Sequence, residues 1–463
     1  MRVSSLRERL LLVCAAVGVA TVTSVSPAGA IPVPTADLGA LPSRFSVGPT
    51  QPTEQKSVCG APFASSTTAL RDPSPAQNLM QVSDAWRYSR GAGTTVAVID
   101  TGVTPSARFA RLTGGGDFVS TSDGLRDCDG HGTLVAGIIA GRPSARDGFA
   151  GVAPDAAILS IRQTSLAYAA KGSSSSSQDP SKIAASSYGT VQTLAYAVVT
   201  AVRRGADVIN ISEIACAPAG SSIDDRALGA AVRYAHSRGV VVVVAAGNLV
   251  DPCKTQNAGI NPANPSAGGW DTVSTAVSPA YFSRYVLTVG GVVSETGAPS
   301  PISIHGPWVS VAAPATGIVS IGARGEAVDR QQGEKGPITI DGTSFAAPYV
   351  AGLAALIKSR FPGISADDVI RRITSSAHSS GSGRDTATGF GVIDPVAALS
   401  DQIAPAAAPG AARALPAPPR ESGTDTATVV AAAGTGVCLA VGLAWWLLTI
   451  PRRRLRRLTE DDY

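Results

Sequence analysis

The apolar runs of this chain are short and evenly spread, and that limits its fold more than any other feature. Residues 96–99, 158–161, 207–212, 240–246, 285–293 and 308–312 have the length and the Val, Ile and Ala content of buried strands. Stretches of helical character precede, separate or follow them, at 76–90, 191–204, 222–238 and 366–376. Such alternation predicts a mostly parallel sheet with helices on both faces, an α/β fold. Several of the runs stop at a polar residue beside a glycine, where a sheet of this kind presents its loops.

Four such stops carry chemistry. The run Val96-Ala97-Val98-Ile99 ends in Asp100-Thr101-Gly102, so a carboxylate sits at a strand's carboxyl end. Asp129-Gly130-His131-Gly132-Thr133 opens an apolar helix with an imidazole at its mouth. The run 240–246 leads into Gly247-Asn248, a side-chain amide. Asp341-Gly342-Thr343-Ser344-Phe345 turns into a long helix without breaking its apolar run, which puts the Ser344 hydroxyl at a helix N-terminus. Unpaired N–H groups and the positive dipole end favour negative charge there. A serine at that position is either an N-cap or a nucleophile, and the second role requires a base, an orienting acid and an oxyanion donor. A turn aspartate, a surface histidine and a turn asparagine each have ordinary explanations. Together with Ser344 they form a catalytic set.

The ends of the chain predict export. Arg2, Arg7 and Arg9 precede an apolar run, and Ala28-Gly29-Ala30 supplies a small-residue cleavage pattern, so residues 1–30 read as a signal peptide. Residues 428–450 carry no charge and are long enough to span a bilayer. Trp445 and Trp446 suit its interface, and Arg452, Arg453, Arg454, Arg456 and Arg457 suit a cytoplasmic tail at 451–463. A linker rich in Ala and Pro fills 401–427. The net charge of +4 comes partly from that terminal arginine cluster, with no distributed basic face, which argues against a nucleic-acid partner. Of the six cysteines, Cys14 falls in the signal and Cys438 in the span. Cys59, Cys128, Cys216 and Cys253 remain, an even set in an oxidising compartment, with three possible pairings. No pair has the short spacing of a zinc site, and neither a metal nor a cofactor is expected.

The motif blocks resemble the subtilisin-type serine proteases (subtilases), whose Asp, His and Ser occur in this chain order. The resemblance spans about residues 76–400 and implies a subtilisin-like three-layer sandwich with a mostly parallel central sheet. It also implies roles. Ser344 attacks the peptide carbonyl, His131 moves the proton, Asp100 orients the imidazole, and Asn248 helps form the oxyanion hole. In subtilisin itself, loss of that amide costs about 3–4 kcal/mol of transition-state stabilisation.

One stretch departs from the family. Where many subtilases have Asn-Met-Ser-Leu-Gly along the substrate cleft, this chain has Asn210-Ile211-Ser212-Glu213-Ile214-Ala215-Cys216. Glu213 replaces an apolar residue, as either a solvated strand-end side chain or part of a polar subsite. Residues 31–75 are irregular and too short for the usual inhibitory propeptide, and we expect them to stay attached, wrapped on the peptidase domain. Residues 163–190, with a run of serines, read as a flexible surface insertion. This combination is similar to the mycosins, membrane-anchored subtilases of type VII (ESX) secretion systems in mycobacteria and related actinobacteria. The resemblance implies disulfides Cys59–Cys128 and Cys216–Cys253, and a single-pass protein with its catalytic domain outside the cell membrane. It implies protein substrates and association with the secretion membrane complex, as an endopeptidase with few substrates or as a structural subunit. A general degradative exoprotease fits poorly with a membrane anchor.

Overall fold

The computed structural model describes residues 31–65, 70–172, 188–250, 252–333, 335–379, 381 and 383–400. Its frame is a seven-stranded sheet in which every neighbouring pair is parallel. In chain order the strands are β1 (Thr95–Asp100), β2 (Arg111–Asp117), β3 (Ala157–Arg162), β4 (Val208–Ile211), β5 (Val241–Ala245), β6 (Leu287–Val292) and β7 (Val309–Pro314). Across the sheet they run β7-β6-β5-β4-β1-β3-β2. From β1 the chain lays β2 at the edge on one side, fills in β3 between them, and then crosses over to lay β4 on the other side of β1. Beside that crossover the carboxyl ends of β1 and β4 diverge into the crevice where open α/β sheets hold ligands.

Strand periodicity sorts the core into two layers. Val96 and Val98 pack into one cluster, Ala97 and Ile99 into the other. Five helices cover these faces: α1 (His131–Ala140), α2 (Val191–Arg203), α3 (Arg226–Ser237), α4 (Thr343–Arg360) and α5 (Ala366–Ser376). Residues of α1, α4 and α5 join the first cluster and those of α2 and α3 the second. Fully burying one aliphatic side chain such as Ile99 or Ile138 stabilises by roughly 2 kcal/mol. Helix α4 is buried continuously from Phe345 to Ile357, which explains a sequence that is apolar all round.

Several elements differ from the sequence expectation. Strand β2 is not among the expected runs, since Arg111–Asp117 holds three glycines and no apolar run. The helical stretch at 76–90 is broken at Gln81, whose φ of 46° is left-handed, into Pro75–Met80 and Val82–Ala85. Met80 and Val82 are two residues apart and would face opposite sides of one helix, so the break lets both reach the core. The insertion at 163–190 is partly structured. Tyr168–Ala170 forms a strand antiparallel to Thr53–Gln55, while 173–187 lie outside the described residues.

That pairing belongs to the route of the N-terminal extension. Arg233 donates to Ala36 O at 2.7 Å, Phe45 stacks on Tyr196 at 4.5 Å, and Phe63 bridges to Arg330. Disulfides join Cys59 to Cys128 and Cys216 to Cys253. No helix among the described residues is long and apolar enough to cross a membrane. The segments expected at 1–30, 401–427, 428–450 and 451–463 lie outside them.

The Cys216–Cys253 link closes a loop of sequence separation 37. Replacing both by Ser should lower the unfolding free energy by about 3–4 kcal/mol. A urea midpoint equal to the native one would show that the crosslink adds nothing.

Candidate active site

Asp100 ends β1 with no exposed surface, and its Oδ1 lies 2.7 Å from His131 Nδ1. Thr101 N also donates to Oδ1, at 2.8 Å. His131 reaches this carboxylate because α1 starts at His131, directly after Gly130 at φ 78°. Asp127 fixes that start. Its Oδ1 accepts from Asp129 N and Gly130 N, and its Oδ2 accepts from Thr133 N and Oγ1. Thr101 Oγ1 donates to Asp127 Oδ1 and accepts from Gly132 N, joining strand end to helix start. A Cβ on Gly132 would stand 2.1 Å from Gly102 O and 3.1 Å from Asp100 Oδ1, so only glycine lets the two elements approach this closely.

Ser344 occupies the first turn of α4, after Gly342 at φ 149°. Its environment follows from Pro348, four residues on within the helix. Proline has no N–H, so the Ser344 carbonyl lacks its usual helical donor. Ser212 Oγ supplies one at 3.0 Å, and Ser344 Oγ donates back to Ser212 O at 3.3 Å. Asn210 Nδ2 in turn donates to Ser212 Oγ at 2.9 Å, which anchors the exchange to the end of β4. The His131 ring lies 5.1 Å from the Phe345 ring, beside the same turn. Among the described residues no hydrogen bond joins His131 to Ser344. In free enzymes such bonds are often long, and they tighten when substrate binds.

Asn248 follows β5. Its Oδ1 accepts from Thr343 N at 2.9 Å and Thr343 Oγ1 at 3.0 Å, which identifies the oxygen end of the amide. The Nδ2 end is left to donate beside Gly342, whose Cβ position is 3.3 Å from it. Asp100, His131, Ser344 and Asn248 thus come from β1, α1, α4 and the loop after β5. Thr101, Asp127, Ser212 and Thr343, which hold them, were not singled out in the sequence. Asp127 alone leaves a signal there, as an Asp in a turn just ahead of a helix.

The subtilase family model matches residues 91–391. Mycosin-1 of Mycobacterium tuberculosis (strain ATCC 25618 / H37Rv) is 48% identical over 97% of this chain and 100% of its own length. The chain is a subtilase of the mycosin group. It is similar to the crystal structure of MycP1 from the ESX-1 type VII secretion system, with a TM-score of 0.76, 46% identity, and coverage of 82% of this chain and 99% of that one. It also matches a chain of the intact ESX-5 inner membrane complex, with a TM-score of 0.74, 39% identity, and coverage of 91% and 100%. This mycosin is a subtilisin-like serine protease.

Charge in the mycosin site is lopsided. Burial alone would lower the His131 pKa, but the charge and hydrogen bond of Asp100, with Glu213 and Asp127 farther off, raise it to about 9. About a quarter of the imidazole stays exposed, so water screens the more distant carboxylates. Glu213 is pushed up to about 7, first by burial and then by Asp100, against the pull of His131. Oxygens of Asp100 and Glu213 and a His131 nitrogen lie within 4.8 Å of one another, close enough in principle to hold a metal ion. His131 Nδ1 carries the proton that it donates to Asp100, so it has no lone pair to offer a metal on that side.

Two outcomes follow. An imidazole accepts protons only when neutral, so with His131 as base kcat/KM is expected to rise with pH from 7 through about 9, a profile measurable on any cleaved peptide. A flat profile across that range would refute the raised imidazole pKa. Gly132→Ala should lower kcat by about 100-fold by pushing β1 and α1 apart. Unchanged turnover would show that the close approach is dispensable.

Proposed function

We propose that this mycosin hydrolyses peptide bonds with Ser344 as nucleophile, His131 as proton shuttle, Asp100 as the orienting carboxylate, and Asn248 Nδ2 with a backbone N–H of the first turn of α4 as oxyanion hole. The observation that carries this reading is the 2.7 Å hydrogen bond between a fully buried carboxylate and an imidazole packed beside the Ser344 turn. Ser344 Oγ adds to the carbonyl carbon while its proton passes to His131 Nε2. Asp100, already on Nδ1, fixes the tautomer that leaves Nε2 free and stabilises the imidazolium. The developing oxyanion takes its hydrogen bonds from Asn248 and the helix start. The amine leaves with the proton from His131, and water then releases the acyl group by the same steps in reverse.

We further propose the setting. Residues 1–30 direct export, 31–75 remain on a peptidase domain of residues 76–400, and 428–450 anchor it at the outer face of the cytoplasmic membrane, with the tail inside. Supporting this are the apolar stretch with its arginine-rich flank and the match to a chain of the ESX-5 inner membrane complex. The substrates are then few proteins linked to type VII secretion. The same match favours a second reading, in which the domain also stabilises the secretion membrane complex.

The experiment is Ser344→Ala in the full-length protein, with cleavage and secretion measured in the same cells. Cleavage should stop. If secretion continues, the structural role is separable from the chemistry; if it stops at normal protein abundance, proteolysis is itself required. Cleavage that persists removes Ser344 as nucleophile. Asn248→Ala should lower kcat by about 10²–10³-fold with little change in KM, and a KM effect alone would remove the oxyanion role.

A further inference from the structure

Glu213 is the side chain next to the machinery that the hydrolytic reading leaves without a task. It follows Ser212, whose hydroxyl and carbonyl hold Ser344. One of its carboxylate oxygens lies within 4.8 Å of His131 and of Asp100. It borders a cavity of about 320 Å³ that also reaches His131. Among the described residues no Lys or Arg lines that cavity.

The neighbouring carboxylates are occupied. Asp129 accepts from Ser165 Oγ and from the N–H groups of Leu166 and Ala167. Asp100 accepts from Thr101 and His131. Glu213 accepts no hydrogen bond from any described residue. A solvated strand-end glutamate would have water for company, but this one is partly buried, with Asp100 and Asp129 both raising its pKa. Val58 and Leu166, 90% and 59% exposed, put apolar surface on the cavity's rim among polar neighbours such as Ser57 and Gln332. Apolar surface on the way to an unpaired carboxylate is the complement of a lysine: methylenes along Val58 and Leu166 and an ammonium at the base.

We infer that Glu213 forms a specificity subsite for a cationic side chain, Lys or Arg, on the substrate residue that lies against His131. This deepens the hydrolytic reading and rests on it. Docked there, the cation pairs with Glu213 and cancels part of the negative field that favours the imidazolium. Asp100, Asp127, Asp129 and Glu213 are the charged groups around that ring and its neighbour carboxylate. With Glu213 neutralised, His131 releases its proton to water more readily and stands ready as a base. A cationic substrate would then raise kcat/KM through binding and through activation together.

The test uses the exported protein and fluorogenic peptides carrying Lys or its uncharged isostere norleucine at each position in turn around the scissile bond. At one position the wild type should prefer Lys by about tenfold in kcat/KM. Glu213→Gln should bring that ratio close to one while still cleaving the norleucine peptide, and should move its pH–kcat/KM midpoint downward. Glu213→Leu should tip the preference toward norleucine. A Lys preference that survives both variants, or one that the wild type never shows, overturns the subsite. Labelling by a fluorophosphonate separates the two readings. A wild type that labels, with Ser344→Ala unlabelled, keeps the hydrolytic reading whatever the charge preference. A wild type that does not label overturns that reading and the subsite with it.

Discussion

The buried carboxylate of Asp100 is the constraint around which the site is organised. An ionised group with no exposed surface is costly unless it is paired and hydrogen-bonded. Thr101 and His131 both serve its Oδ1, and among the described residues Oδ2 has no partner. Pairing with the imidazole is therefore what makes the end of β1 tolerable. That need pulls the start of α1 against the strand and fixes Gly132 as a glycine by steric contact with Gly102 O. The same pairing holds the His131 pKa high. Orientation and basicity of the shuttle are thus two results of one interaction.

Ser344 depends on a different kind of constraint, an unmet backbone group. Pro348 removes one helical donor within a helix buried along most of its length, and an orphan carbonyl there would cost about 1–3 kcal/mol. Ser212 meets it and thereby ties β4 to α4 across the crevice. The position of Ser344 is in this sense set by a proline four residues away and by a serine at the end of another strand, whose carbonyl also accepts from Ser344 Oγ.

This division explains what could be read in the sequence. Six of the seven sheet strands were legible because each is an apolar run with a definite stop, whereas β2 holds three glycines and no apolar run and was missed. Helix 366–376 was read with its observed bounds since Ser365 caps it and its face is strongly amphipathic. Asp100, His131, Ser344 and Asn248 were legible as residues because each stands at such a stop. The holding residues were not. Thr101, Asp127, Ser212 and Thr343 are ordinary turn and cap types whose partners are distant in sequence or reached through backbone groups. The start of α3 was also misjudged by four residues. Asp225 turns its carboxylate to Ser278 and Tyr281 instead of starting a helical turn earlier, a tertiary choice that no local pattern records.

The extension shows how the same physics bounds the crevice from outside. It has little apolar surface with which to bury itself, so it is held at intervals: a ring stack at Phe45, a three-residue strand at Thr53–Gln55, a disulfide at Cys59, a backbone bridge at Phe63. The disulfide falls one residue before Asp129 and three before His131, which brings Val58, Gly60 and Pro62 to the rim of the cavity beside the imidazole. Among the described residues no hydrogen bond runs from the extension to His131, Ser344 or Asn248. A segment held this way walls the crevice without occupying it. An inhibitory segment would instead pair with backbone at the Ser344 turn, and the fastenings of the described part of this one lie elsewhere.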